Sequence, residues 1–242
     1  MRNLLLIAAL LVSPHANAGD SKREQFEAFA REHRKTNSVL SMSYAIVKDG
    51  KIVAAEGIGW QDHDAEERTT ADTSYLVASI TKTFSAATLL GMDADGIIDL
   101  DDDFTTLSDW QGRCNWLSTS ENNIFGGGVK LDDGYVPPAI DCSKKITLRN
   151  VLQMRVLGEP GSNFLYNPIV FGRLANWVEE KTGKPFDHWV RRYVIDKADL
   201  KNTAAGWRDP HGGDALACSH LRSATRPNRT TTWILRRFPT RK

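Results

Sequence analysis

The hydrophobic and polar positions of the first ninety residues follow two different periods. Apolar residues recur at helical spacing between residues 21 and 35 and predict a first helix. Two β-rich runs, at 41–47 and 51–57, enclose an Asp-Gly pair, which is typical of a tight turn between antiparallel strands. A short apolar stretch at 75–78 leads into a second helical segment that ends near Leu90. The pattern therefore predicts a helix, a β-hairpin and another helix, in that order.

The pattern becomes irregular between residues 105 and 145. Three consecutive glycines, a Pro-Pro pair and two cysteines in this stretch indicate a long excursion from regular structure. Helical spacing returns in three segments, Leu148–Met154, Ile169–Lys181 and Pro185 to about Ile195. Since strands and helices do not alternate, we predict an α+β fold, in which helices flank an antiparallel sheet and a mostly helical insert is added.

The first eighteen residues have the pattern of a secretory signal. Arg2 is followed by an apolar run, Leu4–Val12, and then by the small-residue sequence Ala16-Asn17-Ala18. We expect cleavage after Ala18 and a periplasmic or secreted mature chain; a buried core helix is the alternative for this run. No later stretch approaches the ~20 apolar residues of a membrane-spanning helix, so no stable span is expected after the signal is removed.

Composition indicates an ordinary globular protein with one unusual end. Of 242 residues, 41% are hydrophobic and 25% charged, which excludes a disordered chain and a polytopic membrane protein. The formal net charge of +1 gives the chain no general attraction for nucleic acid. Residues 219–242 nevertheless contain seven Arg or Lys and no Asp or Glu, although a basic arm that binds nucleic acid has little support in an exported chain. We therefore predict a signal peptide (1–18), a folded domain (19–218) and an atypical basic tail (219–242).

The three cysteines allow one disulfide. In an oxidising compartment Cys114 and Cys142 would be able to close a loop, which leaves Cys218 without a partner. The chain contains no Cys-x-x-Cys pair, so neither a zinc ribbon nor a thioredoxin-type site is predicted.

The strongest candidate for chemistry is Ser79 with Lys82. A serine at the start of a helix and a lysine three residues later lie on the same helix face, one turn apart. Serine is a poor nucleophile unless a base stands beside it, and a lysine with a lowered pKa can be that base. An N-cap serine with a surface lysine is the alternative, because Ser-x-x-Lys alone is a common pattern.

Tyr166 is the second candidate. It follows a Pro-Gly turn and precedes a predicted helix, which is a position from which a phenol can face a cleft. A core aromatic whose hydroxyl reaches the surface is the alternative.

Together these motifs resemble the serine β-lactamases of class C and their relatives, the D-alanyl-D-alanine carboxypeptidases and family esterases. The resemblance is carried by Ser79-x-x-Lys82 and by Pro160-Gly-x-x-Phe-x-Tyr166, and the hairpin at 43–57 is similar to the family's opening strands. It extends over roughly residues 24–218, so that the predicted domain would be a partial β-lactamase/transpeptidase-like domain.

The resemblance implies a mechanism and a role for each motif residue. Ser79 would be the acylated nucleophile, with its backbone amide as one half of the oxyanion hole, and Lys82 would help to remove its proton. Tyr166 would act as general base and pass a proton to the leaving group. The substrate would be a small or peptidoglycan-like molecule with an amide, β-lactam or ester carbonyl, and neither a metal nor an organic cofactor is implied.

The sequence departs from the family pattern at two places that matter for function. Where the family has Tyr-x-Asn, this chain has Tyr166-Asn167-Pro168, so Asn167 is the candidate for the substrate-binding amide. The family's third motif is matched only in letters by His211-Gly212-Gly213, and we expect the family's C-terminal strands to be missing through a truncated or frame-shifted reading frame.

These departures leave two alternatives to an active enzyme. The first is a catalytically inactive remnant of the same family, whose incomplete sheet would expose a strand edge. The second is a non-catalytic module that binds peptidoglycan or another partner without turnover. The sequence does not predict the oligomeric state.

Overall fold

The computed structural model describes residues 18–62, 66–119 and 124–205. These residues fall into two compact units, one ending at Thr73 and the other beginning at Ser74. Residues 1–17 of the predicted signal, the motif at 211–213, Cys218 and the basic tail lie outside the described residues. In the part of the chain that is described, no helix combines the length and the apolar character needed to cross a membrane.

The first unit consists of a helix and a small antiparallel sheet with the strand order β1-β2-β3. Its elements are α1 (Ala18–Thr36), β1 (Ser41–Lys48), β2 (Lys51–Asp62) and β3 (Glu67–Arg68). The helix packs on the sheet through an edge-on contact of Phe26 with Tyr44, whose ring centroids lie 5.0 Å apart.

The predicted hairpin is confirmed, and its turn has a clear cause. Asp49 and Gly50 have φ values of +50° and +72°, and two successive left-handed residues make the tight turn whose twist suits paired strands. Lys48 and Lys51 face each other across it. Strand β2 is longer than the sequence pattern indicates, because its far end pairs with β3, where Trp60 lies opposite Arg68.

In the described residues of the second unit, the regular elements are helices. Its α-helices are α2 (Thr81–Ala94), α3 (Trp110–Thr119), α4 (Leu148–Leu152), α5 (Pro168–Phe171), α6 (Leu174–Thr182) and α7 (Phe186–Val190). Short 3₁₀ helices occur at Ala78–Ile80, Phe104–Thr106 and Ile124–Gly126, and one π-helical turn, Arg191–Ile195, continues α7.

Helix α2 is anchored in the core of this unit. Leu89 and Met92 are fully buried on its inner face. Gly91 lies so close to the Tyr193 ring that a Cβ atom there would approach it to 2.5 Å, so a side chain at this position would push the π-helical turn away. Tyr193 in turn donates a 2.6 Å hydrogen bond to Asp95 at the end of α2. The helix that carries Lys82 is therefore fixed at its C-terminal half.

The stretch at 105–145 is more regular than its composition suggests. It contains the ten-residue helix α3, whose buried residues Trp110, Cys114 and Leu117 recur at helical spacing among polar and glycine positions. Cys114 and Cys142 form a disulfide across a separation of 28 residues, which confirms the pairing considered from the sequence. The first part of this stretch is therefore helical and packed, whereas residues 127–145 contain neither helix nor strand, as the composition indicates.

The helix predicted at 169–181 is divided into α5 and α6. Asn167 caps α5, and Arg173 stands between the two segments as the N-cap of α6. Helix α6 ends at Gly183, whose left-handed φ of +68° terminates the helix in the usual way. A new helix begins after Pro185, as the sequence predicts.

Candidate active site

Ser79 lies in a strained turn at the entrance to α2. It occupies the middle of the 3₁₀ helix Ala78–Ile80, and the regular α-helix begins two residues later, at Thr81. The preceding residue, Ala78, has a φ of +44°, a left-handed conformation that costs an L-amino acid about 1–2 kcal/mol. This backbone presents the exposed Ser79 side chain at the surface.

Two hydrogen bonds connect the three residues predicted to carry the chemistry. Lys82 Nζ donates to Ser79 Oγ at 3.1 Å. Ser79 Oγ and Tyr166 Oη are 2.7 Å apart, and either hydroxyl can be the donor. These two hydrogen bonds thus connect a local Ser-x-x-Lys pair to a tyrosine from a distant segment of the sequence.

Tyr166 is held in place by the turn that precedes it. Arg155 Nη1 donates to the carbonyl oxygens of Gly161 and Ser162, at 3.3 and 3.0 Å. The Leu165 amide donates to the carbonyl of Met154 at 3.1 Å. The segment that contains the Pro-Gly turn is therefore hydrogen-bonded at several points to Met154 and Arg155, shortly after α4. The Tyr166 side chain projects from this segment, with 43% of the residue's surface exposed.

The surroundings of Tyr166 favour its phenolate form. Hydrogen bonds from Lys82 and with Ser79 lower the pKa of Tyr166 and outweigh the opposing effect of burial; the positive charge of Lys82 adds to the lowering. A phenol with a lowered pKa, at hydrogen-bond distance from a serine hydroxyl, is able to accept the serine proton.

Phe171 is a neighbour of Lys82 that sequence reasoning missed. Lys82 Nζ lies 5.1 Å from the centroid of the Tyr166 ring and 5.5 Å from that of Phe171. Aromatic faces attract a cation at such distances. Phe171 is nearly buried at the end of α5. Its only sequence signal was its place in the apolar pattern, which does not distinguish it from a core residue.

Asn167 has a structural role in this geometry. Its side chain is 1% exposed. Its Oδ1 atom accepts from the Val170 amide at 3.0 Å, which caps α5, and its Nδ2 atom donates to the Phe125 carbonyl at 2.9 Å. The substrate contact predicted for Asn167 would require these two buried hydrogen bonds to break first. Pro168 occupies the first position of α5, where a missing amide hydrogen costs nothing.

In residues 18–62, 66–119 and 124–205, no three His, Cys, Asp or Glu side chains are grouped so that they can hold a metal ion.

A family model described as Beta-lactamase matches residues 26–232 of the sequence. The chain belongs to the beta-lactamase family. The resemblance noted from the motifs of Ser79 and Tyr166 is thereby confirmed at the level of the family.

Curated relatives of this beta-lactamase-family chain include Protein flp of Staphylococcus aureus. The flp of strain MRSA252 is 29% identical over 195 residues, which is 76% of this chain and 38% of that protein. The flp of strain MW2 is 19% identical over 196 residues, with 76% and 39% of the two chains covered. The chain thus spans about two fifths of the length of these curated relatives.

Solved structures share its fold at low sequence identity. A penicillin-binding protein homologue from Pyrococcus abyssi aligns with a TM-score of 0.55 and 16% identity, over 74% of this chain and 43% of that one. The D-amino acid amidase of Ochrobactrum anthropi aligns at 0.52 and 21%, over 78% and 55%. A class C β-lactamase aligns at 0.50 and 18%, over 77% and 52%. The α+β, β-lactamase-like fold predicted from the sequence is therefore confirmed.

Proposed function

We propose that this chain is an exported serine hydrolase that forms an acyl-enzyme on Ser79. The observation that carries the proposal is the row of hydrogen bonds from Lys82 to Ser79 and from Ser79 to Tyr166, at 3.1 and 2.7 Å. A nucleophile within reach of a base, which is itself adjusted by a third group, is the arrangement that covalent hydrolases share. The family, one of serine hydrolases, supports the same reaction class.

In the proposed first half-reaction, Ser79 Oγ attacks the carbonyl carbon as the Tyr166 phenolate takes its proton. The carbonyl electron pair moves to oxygen, and the Ser79 amide supplies one donor to the resulting oxyanion. When the tetrahedral species collapses, the bond to the leaving group breaks and Tyr166 returns the proton to that group. Lys82 stabilises the phenolate before attack and keeps Ser79 Oγ oriented.

In the second half-reaction, water attacks the acyl ester. Tyr166 accepts a proton from this water, and Ser79 Oγ regains a proton when the acid product leaves. The two half-reactions together consume only the substrate and one water molecule.

The substrate class follows from the carbonyl chemistry and from the relatives. The solved relatives are a penicillin-binding protein homologue, a D-amino acid amidase, a β-lactamase and EstCE1, a hydrolase with promiscuous acyltransferase activity. We therefore propose a β-lactam, amide or ester of small or peptidoglycan-like size as the substrate. The signal-like residues 1–18 and the Cys114–Cys142 disulfide support an exported, oxidising location.

The deciding experiment is the intact mass of the purified mature protein after exposure to a labelled penicillin and, in parallel, to a fluorophosphonate. Ser79→Ala is the control, because it removes only the attacking oxygen. We expect one adduct per chain with at least one reagent, and none in the variant. A folded chain that gains no adduct from either reagent would end the enzyme proposal and leave the inactive remnant.

A binding module without turnover is the second candidate, and the departure at Pro168 is the observation that favours it. Proline replaces the family's asparagine there, and Asn167 is buried, so this part of the family's catalytic pattern is absent while the rest of the site is retained. This candidate predicts that affinity for a penicillin or a peptidoglycan fragment, measured by calorimetry, is unchanged in Ser79→Ala while no adduct forms in either protein.

A further inference from the structure

Asn167 stands between the two aromatic residues that contact Lys82. Tyr166 precedes it directly, and Phe171 ends the four-residue helix α5 that Asn167 caps. Lys82 Nζ lies 5.1 and 5.5 Å from the centroids of these two rings. A four-residue helix has few internal hydrogen bonds to hold it, so its cap has a large share in fixing where it starts.

The second polar end of Asn167 reaches a different part of the chain. Nδ2 donates at 2.9 Å to the carbonyl of Phe125, in the short helix Ile124–Gly126 of the insert. Because the Asn167 side chain is 1% exposed, water does not offer an equal substitute for this bond.

The segment that supplies the Phe125 carbonyl is itself firmly held. The Ile140 amide donates to the carbonyl of Gly126 at 2.8 Å. A Cβ atom at Gly126 would come within 2.0 Å of the Leu117 carbonyl oxygen, so the short helix Ile124–Gly126 is in close backbone contact with α3. Cys114 of α3, which is fully buried, is bonded to Cys142 on the far side of the same loop.

We propose that Asn167 is a positioning residue that couples the disulfide-bonded insert to the active site. By capping α5 and holding the Phe125 carbonyl, it fixes Tyr166 and Phe171 relative to Lys82. This inference rests on the proposed function, since Tyr166 is taken there as the base. In this inference, the insert contributes to the reaction by supporting the segment that carries the base, Tyr166.

Asparagine is the residue type that this task requires. The side chain must accept a bond from the Val170 amide and, at the same time, donate one to a carbonyl. Aspartate can cap the helix but would place a carboxylate oxygen against the Phe125 carbonyl oxygen. Serine can also cap the helix but is too short to reach both partners.

The test compares Asn167→Ser and Asn167→Asp with the wild-type chain. Asp103→Ala is the matched control, because Asp103 caps another short helix of the same unit by accepting from the Thr105 amide at 2.9 Å. Three quantities are measured: the melting temperature, the rate of labelling by a fluorophosphonate, and the titration of Tyr166. The titration is read as tyrosinate absorbance relative to Tyr166→Phe, so it needs no turnover.

All three substitutions are expected to lower the melting temperature. Only the two Asn167 variants should slow labelling, by about tenfold to a hundredfold, since a shift of about 1 Å at a reacting group has effects of that size. In these variants the Tyr166 titration should move up toward the ordinary phenol value, because the phenol loses its alignment with Ser79 and with Lys82. Ser79, in the turn before α2, and Lys82, in α2, are the two groups whose hydrogen bonds lower the pKa of Tyr166.

The proposal is overturned if both Asn167 variants melt at a lower temperature but label and titrate like the wild type, because Asn167 would then be only a helix cap. If Asn167→Ser does not fold, Asn167→Asp, which keeps the helix cap at full side-chain length, decides the question. If the wild-type chain is never labelled but its Tyr166 titration moves in the variants, the proposed function fails and the positioning role stands.

Discussion

Ala78 is the residue whose backbone conformation is least favourable beside the nucleophile. Its left-handed φ of +44° suits glycine better than any residue with a Cβ atom. We expect Ala78→Gly to leave the free energy of unfolding unchanged or to raise it by up to about 1 kcal/mol, and Ala78→Val to lower it by about 1–3 kcal/mol. Urea denaturation measures both changes. Ala86→Gly, within α2, is the control and should cost about 1 kcal/mol, as glycine does in an ordinary helix. Equal losses from both glycine substitutions would contradict the strain at Ala78.

Tyr166 gives the reaction a pH dependence whose sign follows from its pKa. Because the bonds with Lys82 and Ser79 lower that pKa from the ordinary value of 10.0, the folded chain loses the phenol proton before the unfolded chain does. The interaction therefore stabilises the fold fully above the ordinary value, and this contribution is lost as the pH falls through the lowered pKa. The labelling rate should rise with pH and reach its plateau below pH 10. Lys82→Met should move this rise to higher pH, and Tyr166→Phe should abolish it; a flat wild-type profile would contradict the role of Tyr166 as base.

At the scale of elements, the disulfide that closes the insert should make a large contribution to stability. Closing a loop with a separation of 28 residues removes conformational freedom from the unfolded chain that corresponds to about 3–4 kcal/mol. Reduction should lower the free energy of unfolding by that amount, measured in urea with and without reductant. A Cys114→Ala/Cys142→Ala variant should match the reduced protein and be insensitive to reductant. If the reductant still destabilises this double variant, an intermolecular disulfide of Cys218 is responsible, and Cys218→Ala should remove the effect.

The elements also show what could be predicted from the sequence. The Asp-Gly turn and the Ser79-x-x-Lys82 pair depend on neighbours within a few residues, and local patterns are sufficient for them. The capping role of Asn167 also had a local signal, since Asn followed by Pro is a typical helix start. The approach of Tyr166 to Ser79 had no local signal, because 87 residues separate them. Only the family resemblance pointed to it.

At the scale of the whole chain, the signal pattern of the first eighteen residues predicts a defined mature N-terminus. The small-residue sequence Ala16-Asn17-Ala18 predicts cleavage after Ala18. We expect that the protein recovered from the periplasm of a Gram-negative host begins at Gly19, which the intact mass determines directly. Ala16→Lys/Ala18→Lys, which removes both small residues of the cleavage pattern, should prevent processing. A recovered chain that retains residues 1–18 would contradict the cleavage prediction.

The hydrogen bond between Ser79 and Tyr166 also makes the site a reporter of folding. It closes a loop of 87 residues, whereas the Lys82–Ser79 contact closes a single turn. A long loop is costly to close and slow to form, so the local pair is complete well before the tyrosine arrives. The Cys114–Cys142 bond lies inside this loop and shortens the path that must be ordered. Reactivity toward an acylating reagent during refolding would therefore follow this long-range step of assembly, and it would appear later in the reduced chain than in the oxidised one.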